Sequence, residues 1–160
     1  MPVSPETVAI RAERKRAVPS NGMAQSDVEL TRRLYQAYGK PEALDLIHPD
    51  IAWRLASDVT TRHGHDGVVA SLGEWHQSFE RYELVLEDAI ALGVGLVFAI
   101  SGNRIRGRGS GLEMEQQLYH LLWWRDGLLV RLEGYSNRAE AEREARSGGG
   151  VDAATPSRDV

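Results

Sequence analysis

The chain has 160 residues, enough for one domain with a buried core, and its formal net charge of -4 gives no indication of a nucleic-acid partner. It contains no cysteine, which excludes disulfides and thiolate metal sites, and it shows no apolar run of membrane-spanning length. From these features we expect a cytoplasmic protein without a nucleic-acid or membrane partner.

Both ends of the sequence have the composition of flexible tails. Residues 1–25 combine Pro, Ser, Asn and Gly with a basic cluster and few large apolar groups, which predicts a disordered N-terminal tail. Residues 147–160 begin with a Ser-Gly-Gly-Gly run and predict a flexible C-terminal tail. One domain is expected between them, over residues 26–146, and it should end with a short charged helix from Arg138 to Arg146.

The first half of this domain predicts three helices and two strands. Ser26 and Glu29 form a capping box that should begin the first helix, and Gly39 should end it. Trp53 lies in an alternating apolar segment and is expected to face inward. The elements predicted after the first helix are a short helix over 42–47, a strand over 51–55, a polar loop over 57–64, a helix over 66–81 and a strand over 82–91.

Three histidines in this half raise the question of a metal. His63, His65 and His76 match neither of the common helical zinc motifs in their spacing. We therefore expect no metal and no cofactor.

The stretch from Gly93 to Asn137 predicts three consecutive strands, over 94–108, 113–124 and 128–136. A four-residue loop over 109–112 would place Arg108 opposite Glu113 and Arg106 opposite Glu115. Opposite charges across paired strands are stabilising. The arginines and glutamates are therefore expected to share one solvent-facing side of the sheet.

The second turn fixes the residues on the other side of the sheet. A three-residue loop over 125–127 would place Leu122 opposite Val130 and His120 opposite Leu132. Because side chains alternate along a strand, this side is apolar with a few polar interruptions. A buried core does not need polar groups without partners, whereas a ligand pocket uses a few that converge. The interruptions are Ser101, Asn103, Gln116, His120 and Ser136.

The order of elements predicts an α+β domain, in which late strands pair antiparallel and helices cover one side. Three stretches then resemble SnoaL-like proteins of the nuclear transport factor 2-like superfamily. They are Asp50 to Trp53, Gly107 to Glu115, and Leu118-Tyr119-His120 continuing through Arg125-Asp126-Gly127 to Ala141. The resemblance implies a cone-shaped curved sheet, mixed or antiparallel, wrapped by three helices around a deep apolar pocket, as in a cystatin-like roll.

The superfamily includes ketosteroid isomerases, limonene epoxide hydrolases and polyketide cyclases. The isomerases' Asp base falls at Leu55 of this chain, their Tyr donor at Leu34 and their protonated Asp at His120. The base and one donor are therefore missing.

The Arg-x-Asp pair and the later Asp of the epoxide hydrolases fall at Ser101, Asn103 and Gly134. These three residues provide no carboxylate to activate water. Neither known catalytic set is present.

His120 is the candidate catalytic residue, because an imidazole titrates near neutral pH and can exchange protons with a ligand. The alternative is a buried neutral histidine tied to its polar neighbours. Tyr35 and Trp75 are interpreted as core or pocket wall. The predicted ligand-binding residues are Trp53, Leu55, Ser101, Asn103, Gln116, Leu118, Leu132 and Ser136.

Tyr119, Leu121 and Trp123 alternate on the opposite side of the sheet, and exposed groups of this size predict an interface. We expect a homodimer formed through this outer face.

Three functions remain open. The first is a cofactor-independent isomerase, cyclase or hydrolase acting on a polyketide- or terpenoid-like molecule, with His120 as acid or base. The second is a non-catalytic binder of a small apolar or oxygenated ligand, and the third is a dimeric interaction module with a vestigial pocket.

Overall fold

A computed structural model of the protein describes residues 22–152. Of the tails predicted over 1–25 and 147–160, residues 1–21 and 153–160 lie outside the described residues, whereas residues 22–25 and 147–152 are helical and correct the prediction there. The helices are α1 (Gly22–Gln36), a 3₁₀ helix (Pro41–Leu46), α2 (Gly64–Ser78) and α3 (Arg138–Asp152). The strands are β1 (Ile47–Arg54), β2 (Arg62–His63), β3 (Phe79–Ala91), β4 (Leu96–Gly107), β5 (Glu113–Arg125) and β6 (Leu128–Tyr135).

The six strands form one sheet in the order β2-β1-β6-β5-β4-β3. All neighbours pair antiparallel except β1 and β6, which pair parallel. The α+β class is confirmed, and the sheet is mixed. None of the helices within residues 22–152 combines the length and hydropathy needed to cross a membrane.

Apolar side chains are buried on both sides of the sheet. An inner cluster lies between the sheet and the elements α1, the 3₁₀ helix and α2. Trp53 is 1% exposed within it, which confirms its predicted inward orientation. The inner cluster includes Leu34, Tyr35, Trp53, Leu86, Leu122 and Trp124. The outer cluster includes Phe98, Tyr119, Leu121, Trp123, Tyr135 and Ala141.

The outer cluster corrects the prediction that Tyr119, Leu121 and Trp123 are exposed. They are 9%, 0% and 2% exposed within the single chain. Helix α3 packs across β5 and contributes Ala141, and the guanidinium of Arg131 lies 4.3 Å from the centroid of the Trp123 ring. These side chains are thus buried within the single chain, and exposure of aromatic groups no longer supports a dimer here.

The predicted register of the first hairpin is wrong by two residues. Arg106 pairs with Glu113 and Arg104 with Glu115, because the connection spans six residues from Gly107 to Leu112. Arg108 instead donates to three backbone carbonyls at the end of α2, those of residues 76, 77 and 79, at 3.1–3.2 Å. The charged groups nevertheless share the solvent-facing side, as predicted.

The second hairpin also differs from the prediction. Its turn has two residues, Asp126 and Gly127, whose φ angles of 53° and 81° are both positive. Such a turn matches the twist of the flanking strands. An extra residue in β6 then shifts the register, so that Val130 joins the outer cluster and His120 lies opposite Gly134 instead of Leu132.

Two helices are longer than predicted. Helix α1 begins at Gly22, so Ser26 does not cap it, and the carboxylate of Asp27 accepts the backbone N–H of Gly95 at 2.9 Å. Helix α3 continues past Arg146 to Asp152. The short helix after Pro41 is a 3₁₀ helix, and β1 begins at Ile47 because it pairs with β6 from there.

Candidate functional site

A partly open cavity of about 230 Å³ lies against the inner side of the sheet. Drug-sized ligands occupy pockets of roughly 300–1,000 Å³, so this cavity suits a smaller molecule. Six predicted site residues line it: Leu55, Asn103, Gln116, Leu118, His120 and Ser136. The remaining wall consists of Tyr38, Ala56, Ser57, Trp75, Tyr82 and Leu84.

His120 extends from the middle of β5 into this cavity and is 3% exposed. Its Nδ1 atom lies 2.7 Å from the hydroxyl of Tyr35, on α1. Burial lowers the pKa of His120 from 6.5 to about 4, because the apolar surroundings disfavour the charged imidazolium. The ring is therefore neutral at pH 7.

The contact with Tyr35 bears on which ring nitrogen of His120 carries the proton. Burial, followed by the nearby Tyr38, raises the pKa of the Tyr35 phenol well above its usual value, and a hydrogen bond with Ser101 acts in the opposite direction, so the phenol keeps its proton. We assign the 2.7 Å contact as donation from the phenol to Nδ1, which leaves the imidazole proton on Nε2. His120 then presents an N–H donor to the cavity.

Gly134 makes room for this arrangement on the neighbouring strand. A Cβ atom at position 134 would lie 3.0 Å and 3.1 Å from Cδ2 and Nε2 of His120. It would also lie 2.8 Å from the backbone nitrogen of Ala56, a distance that real Cβ atoms do not tolerate. The absent side chain therefore allows both the imidazole and the end of β1 to approach β6.

Asn103 is the second polar group of interest in the cavity. It is 4% exposed, and its Nδ2 atom has no hydrogen-bond partner within the described part of the chain. It pairs across the strands with Gln116, which also lines the cavity. Nearly all buried polar groups in native proteins are paired, so an unpaired amide at a cavity calls for an explanation.

Asp58 holds the β1 end of the cavity in place. Its carboxylate accepts the backbone N–H of Leu55 at 2.9 Å and the hydroxyl of Ser71 at 3.2 Å. Ser71 in turn accepts the indole N–H of Trp53 at 3.2 Å, and Arg62 approaches Asp58 at 3.5 Å. These bonds anchor the residues after β1 to helix α2.

Three of the predicted site residues lie outside the cavity lining. Trp53 borders a second cavity of about 280 Å³, mostly apolar, between α1, the 3₁₀ helix and α2. Ser101 is buried and donates to the carbonyl of Leu118 at 3.4 Å, and Leu132 belongs to the inner cluster. Tyr38 borders both cavities and forms part of the wall between them.

The sequence reasoning missed Tyr35 as the partner of His120. Tyr35 and His120 are separated by 85 positions in the sequence. The resemblance assigns the isomerases' tyrosine donor to position 34, which is a leucine one residue away from Tyr35. Asp58 was missed because it lies in a predicted polar loop. An aspartate three residues after the end of an apolar strand is a turn signal that could have identified its bond to Leu55.

The histidines considered for a metal are separated in the fold. Nε2 of His65 lies 2.8 Å from the carbonyl of Ile47, and Nε2 of His76 lies 3.1 Å from the hydroxyl of Tyr82. Residues 22–152 contain no group of three or more His, Asp or Glu side chains that could hold a metal ion. The cavity lining, as far as the chain is described, contains no carboxylate.

Comparison with known proteins gives matches in structure but not in sequence. No protein-family model matches the chain, and no curated protein matches it in sequence. A candidate SnoaL-like polyketide cyclase from Jannaschia sp. CCS1 superposes with a TM-score of 0.66 at 15% identity, covering 82% of this chain and 99% of its own. A protein of unknown function from Burkholderia pseudomallei, described as NTF2-like, gives a TM-score of 0.61 at 22% identity, covering 72% and 93%.

A third match is TerC, whose structure was solved with polyporic acid. It gives a TM-score of 0.62 at 19% identity and covers 75% of this chain and 98% of its own. These likenesses, together with the sheet order and the cavity, show that the chain has the nuclear transport factor 2-like fold. The fold expected from the sequence resemblance is therefore confirmed.

Proposed function

We propose that this chain binds a small, apolar, carbonyl-bearing molecule of the polyketide or terpenoid kind in the inner cavity. In the proposal, His120 donates a hydrogen bond from Nε2 to the ligand's carbonyl oxygen. The observation that carries it is the bond between Tyr35 and Nδ1 of a neutral, buried imidazole. A neutral imidazole with a lowered pKa can polarise a carbonyl without giving up a proton.

The chemistry that this arrangement supports is an isomerisation or cyclisation through an enolate-like state. Solvent water entering the partly open cavity would take the proton from the carbon next to the carbonyl, because the described lining holds no free base. Negative charge developing on the carbonyl oxygen would be stabilised by the Nε2–H donor, which acts in a site of low dielectric and is already oriented by Tyr35. Removal of one such donor typically costs about 10²–10³ in kcat. No carboxylate in the described lining is placed to activate water, so hydrolysis is the least supported of the three reaction types.

Deuterium exchange at the carbon next to a carbonyl tests the proposal without knowledge of the natural substrate. The probe is 4-phenylbutan-2-one in D₂O, followed by proton NMR with and without protein. We expect the wild type to accelerate exchange, His120→Gln to abolish the acceleration, and Tyr35→Phe to reduce it. As a matched control, Arg104→Gln on the outer side of the sheet should exchange at the wild-type rate.

Non-catalytic binding is the second candidate, and a specific observation favours it. The imidazole is neutral and its Nδ1 atom is engaged by Tyr35, so no free basic group in the described lining is available to remove a proton. Saturable binding of the ketone without accelerated exchange would support this alternative. Absence of binding would refute both candidates.

A further inference from the structure

The unpaired amide of Asn103 bears on which chemical groups a bound ligand must carry. Removal of a buried N–H donor from water without a replacement bond destabilises the folded protein. Residue 103 lines the cavity, and Nδ2 itself is sealed from solvent without a partner in the described chain. The ligand-free protein therefore retains an unpaired N–H donor, and a suitable ligand could supply the missing acceptor.

The geometry of the amide indicates how this would happen. Within residues 22–152 no hydrogen bond holds Nδ2, and a half-turn about χ2 exchanges Nδ2 with Oδ1. That turn would bring the N–H donors to the cavity and leave the carbonyl oxygen in the sealed position. An unpaired buried carbonyl is better tolerated than an unpaired N–H. A ligand that offers an acceptor oxygen would therefore favour the turned orientation.

The pairing of β4 with β5 gives the distance along the sheet between this amide and His120. Ala99 lies opposite His120, and Asn103 is four residues further along β4, which corresponds to about 13 Å at 3.3 Å per residue. Leu118, opposite Ser101, lines the cavity between them. The two polar groups are thus well separated along the sheet, with the apolar side chain of Leu118 between them.

We infer that the ligand has an acceptor oxygen at each end of an apolar body. One oxygen accepts a hydrogen bond from His120, and the other accepts one from the amide of Asn103. This inference rests on the proposed function, because it concerns the same cavity. It narrows the ligand from any small carbonyl compound to an elongated dicarbonyl or equivalent molecule. Asn103 is the residue that selects for the second acceptor.

A matched pair of probes tests the inference by calorimetry. The first is 4-(4-acetylphenyl)butan-2-one, with a carbonyl at each end. The second is 4-(4-isopropenylphenyl)butan-2-one, in which the aryl carbonyl oxygen is replaced by a methylidene group of similar shape. We expect the wild type to bind the dicarbonyl about tenfold more tightly than the isopropenyl probe, because the second oxygen accepts a hydrogen bond from the unpaired amide of Asn103.

Two variants make the assignment to Asn103 specific. Asn103→Leu should bind both probes equally, and Asn103→Asp, which replaces the N–H donors with an acceptor, should also lose the preference. In the absence of probe, Asn103→Leu should melt at or above the wild-type temperature. Thr31→Val should melt lower, because the Thr31 hydroxyl is paired with the indole of Trp124 at 3.0 Å.

The outcomes separate this inference from the proposed function. Equal binding of the two probes by the wild type, or a tenfold preference that survives both Asn103 variants, overturns the role of Asn103 and leaves the pocket intact. Binding of neither probe overturns both proposals. A clear fall in melting temperature for Asn103→Leu shows that the amide has an internal partner and also overturns the inference.

Discussion

The burial of His120 predicts a specific loss of stability in acid. Its pKa is about 4 in the folded chain and 6.5 for an unperturbed imidazole. Between these values the unfolded chain takes up a proton that the folded chain does not, so the free energy of unfolding falls as pH falls from about 6.5 to about 4. At 1.36 kcal/mol per pKa unit, the full effect is about 3 kcal/mol, of which about 2 kcal/mol is lost by pH 5.

Urea unfolding, followed by tryptophan fluorescence at pH 7 and pH 5, measures this effect. His120→Gln removes the titrating group and retains a polar partner for Tyr35, so the comparison cancels the carboxylates that titrate in both proteins. We expect the wild type to lose about 2 kcal/mol more than the variant between the two pH values. Parallel pH dependences in wild type and variant would refute the burial of a neutral imidazole at this position.

Three further predictions concern the scaffold. In the same urea assay, Gly134→Ala should destabilise the protein by about 1–3 kcal/mol, because the added methyl group would overpack against Ala56. As its control, Gly73→Ala should be neutral or stabilising by up to about 1 kcal/mol, because a Cβ atom at position 73 would have open space around it. Arg108→Ala should cost about 1 kcal/mol, measured as the change in urea midpoint, because three carbonyls at the end of α2 lose a cation; an unchanged midpoint would reject that cap. Trp123→Asp should unfold the chain by removing a buried ring, a loss of about 3–5 kcal/mol for truncation alone. A variant that is still folded by circular dichroism would contradict the burial of Trp123 in the outer cluster.

The sequence pattern was sufficient to predict which side chains share a side of the sheet. Alternation of polar and apolar residues along β4 and β5 placed Asn103 and His120 together on the inner side, and the structure shows both along one cavity. The turns were predicted less well. Asp126-Gly127 is a strong two-residue hairpin signal, and the three-residue loop predicted instead accounts for one residue of the register error. The extra residue in β6 accounts for the other, and local spacing gave no sign of it.

Contacts between distant parts of the chain could not be predicted. Local spacing does not indicate that α3 will pack on the outer cluster, since its apolar groups there are the small side chains of Ala141 and Ala145. The capping box at Ser26 was a reasonable local signal, but Asp27 within it bonds to Gly95, 68 positions later. Local spacing does not reveal a tertiary hydrogen bond of this kind.

The most direct test of the site is the protonation of the His120 side chain, observed by long-range proton–nitrogen NMR at pH 7. We expect a neutral ring with its proton on Nε2, and a change in the Nε2 resonance when 4-phenylbutan-2-one saturates the protein. A charged ring, a proton on Nδ1, or an Nε2 resonance that does not respond to the bound ketone would contradict the proposed site.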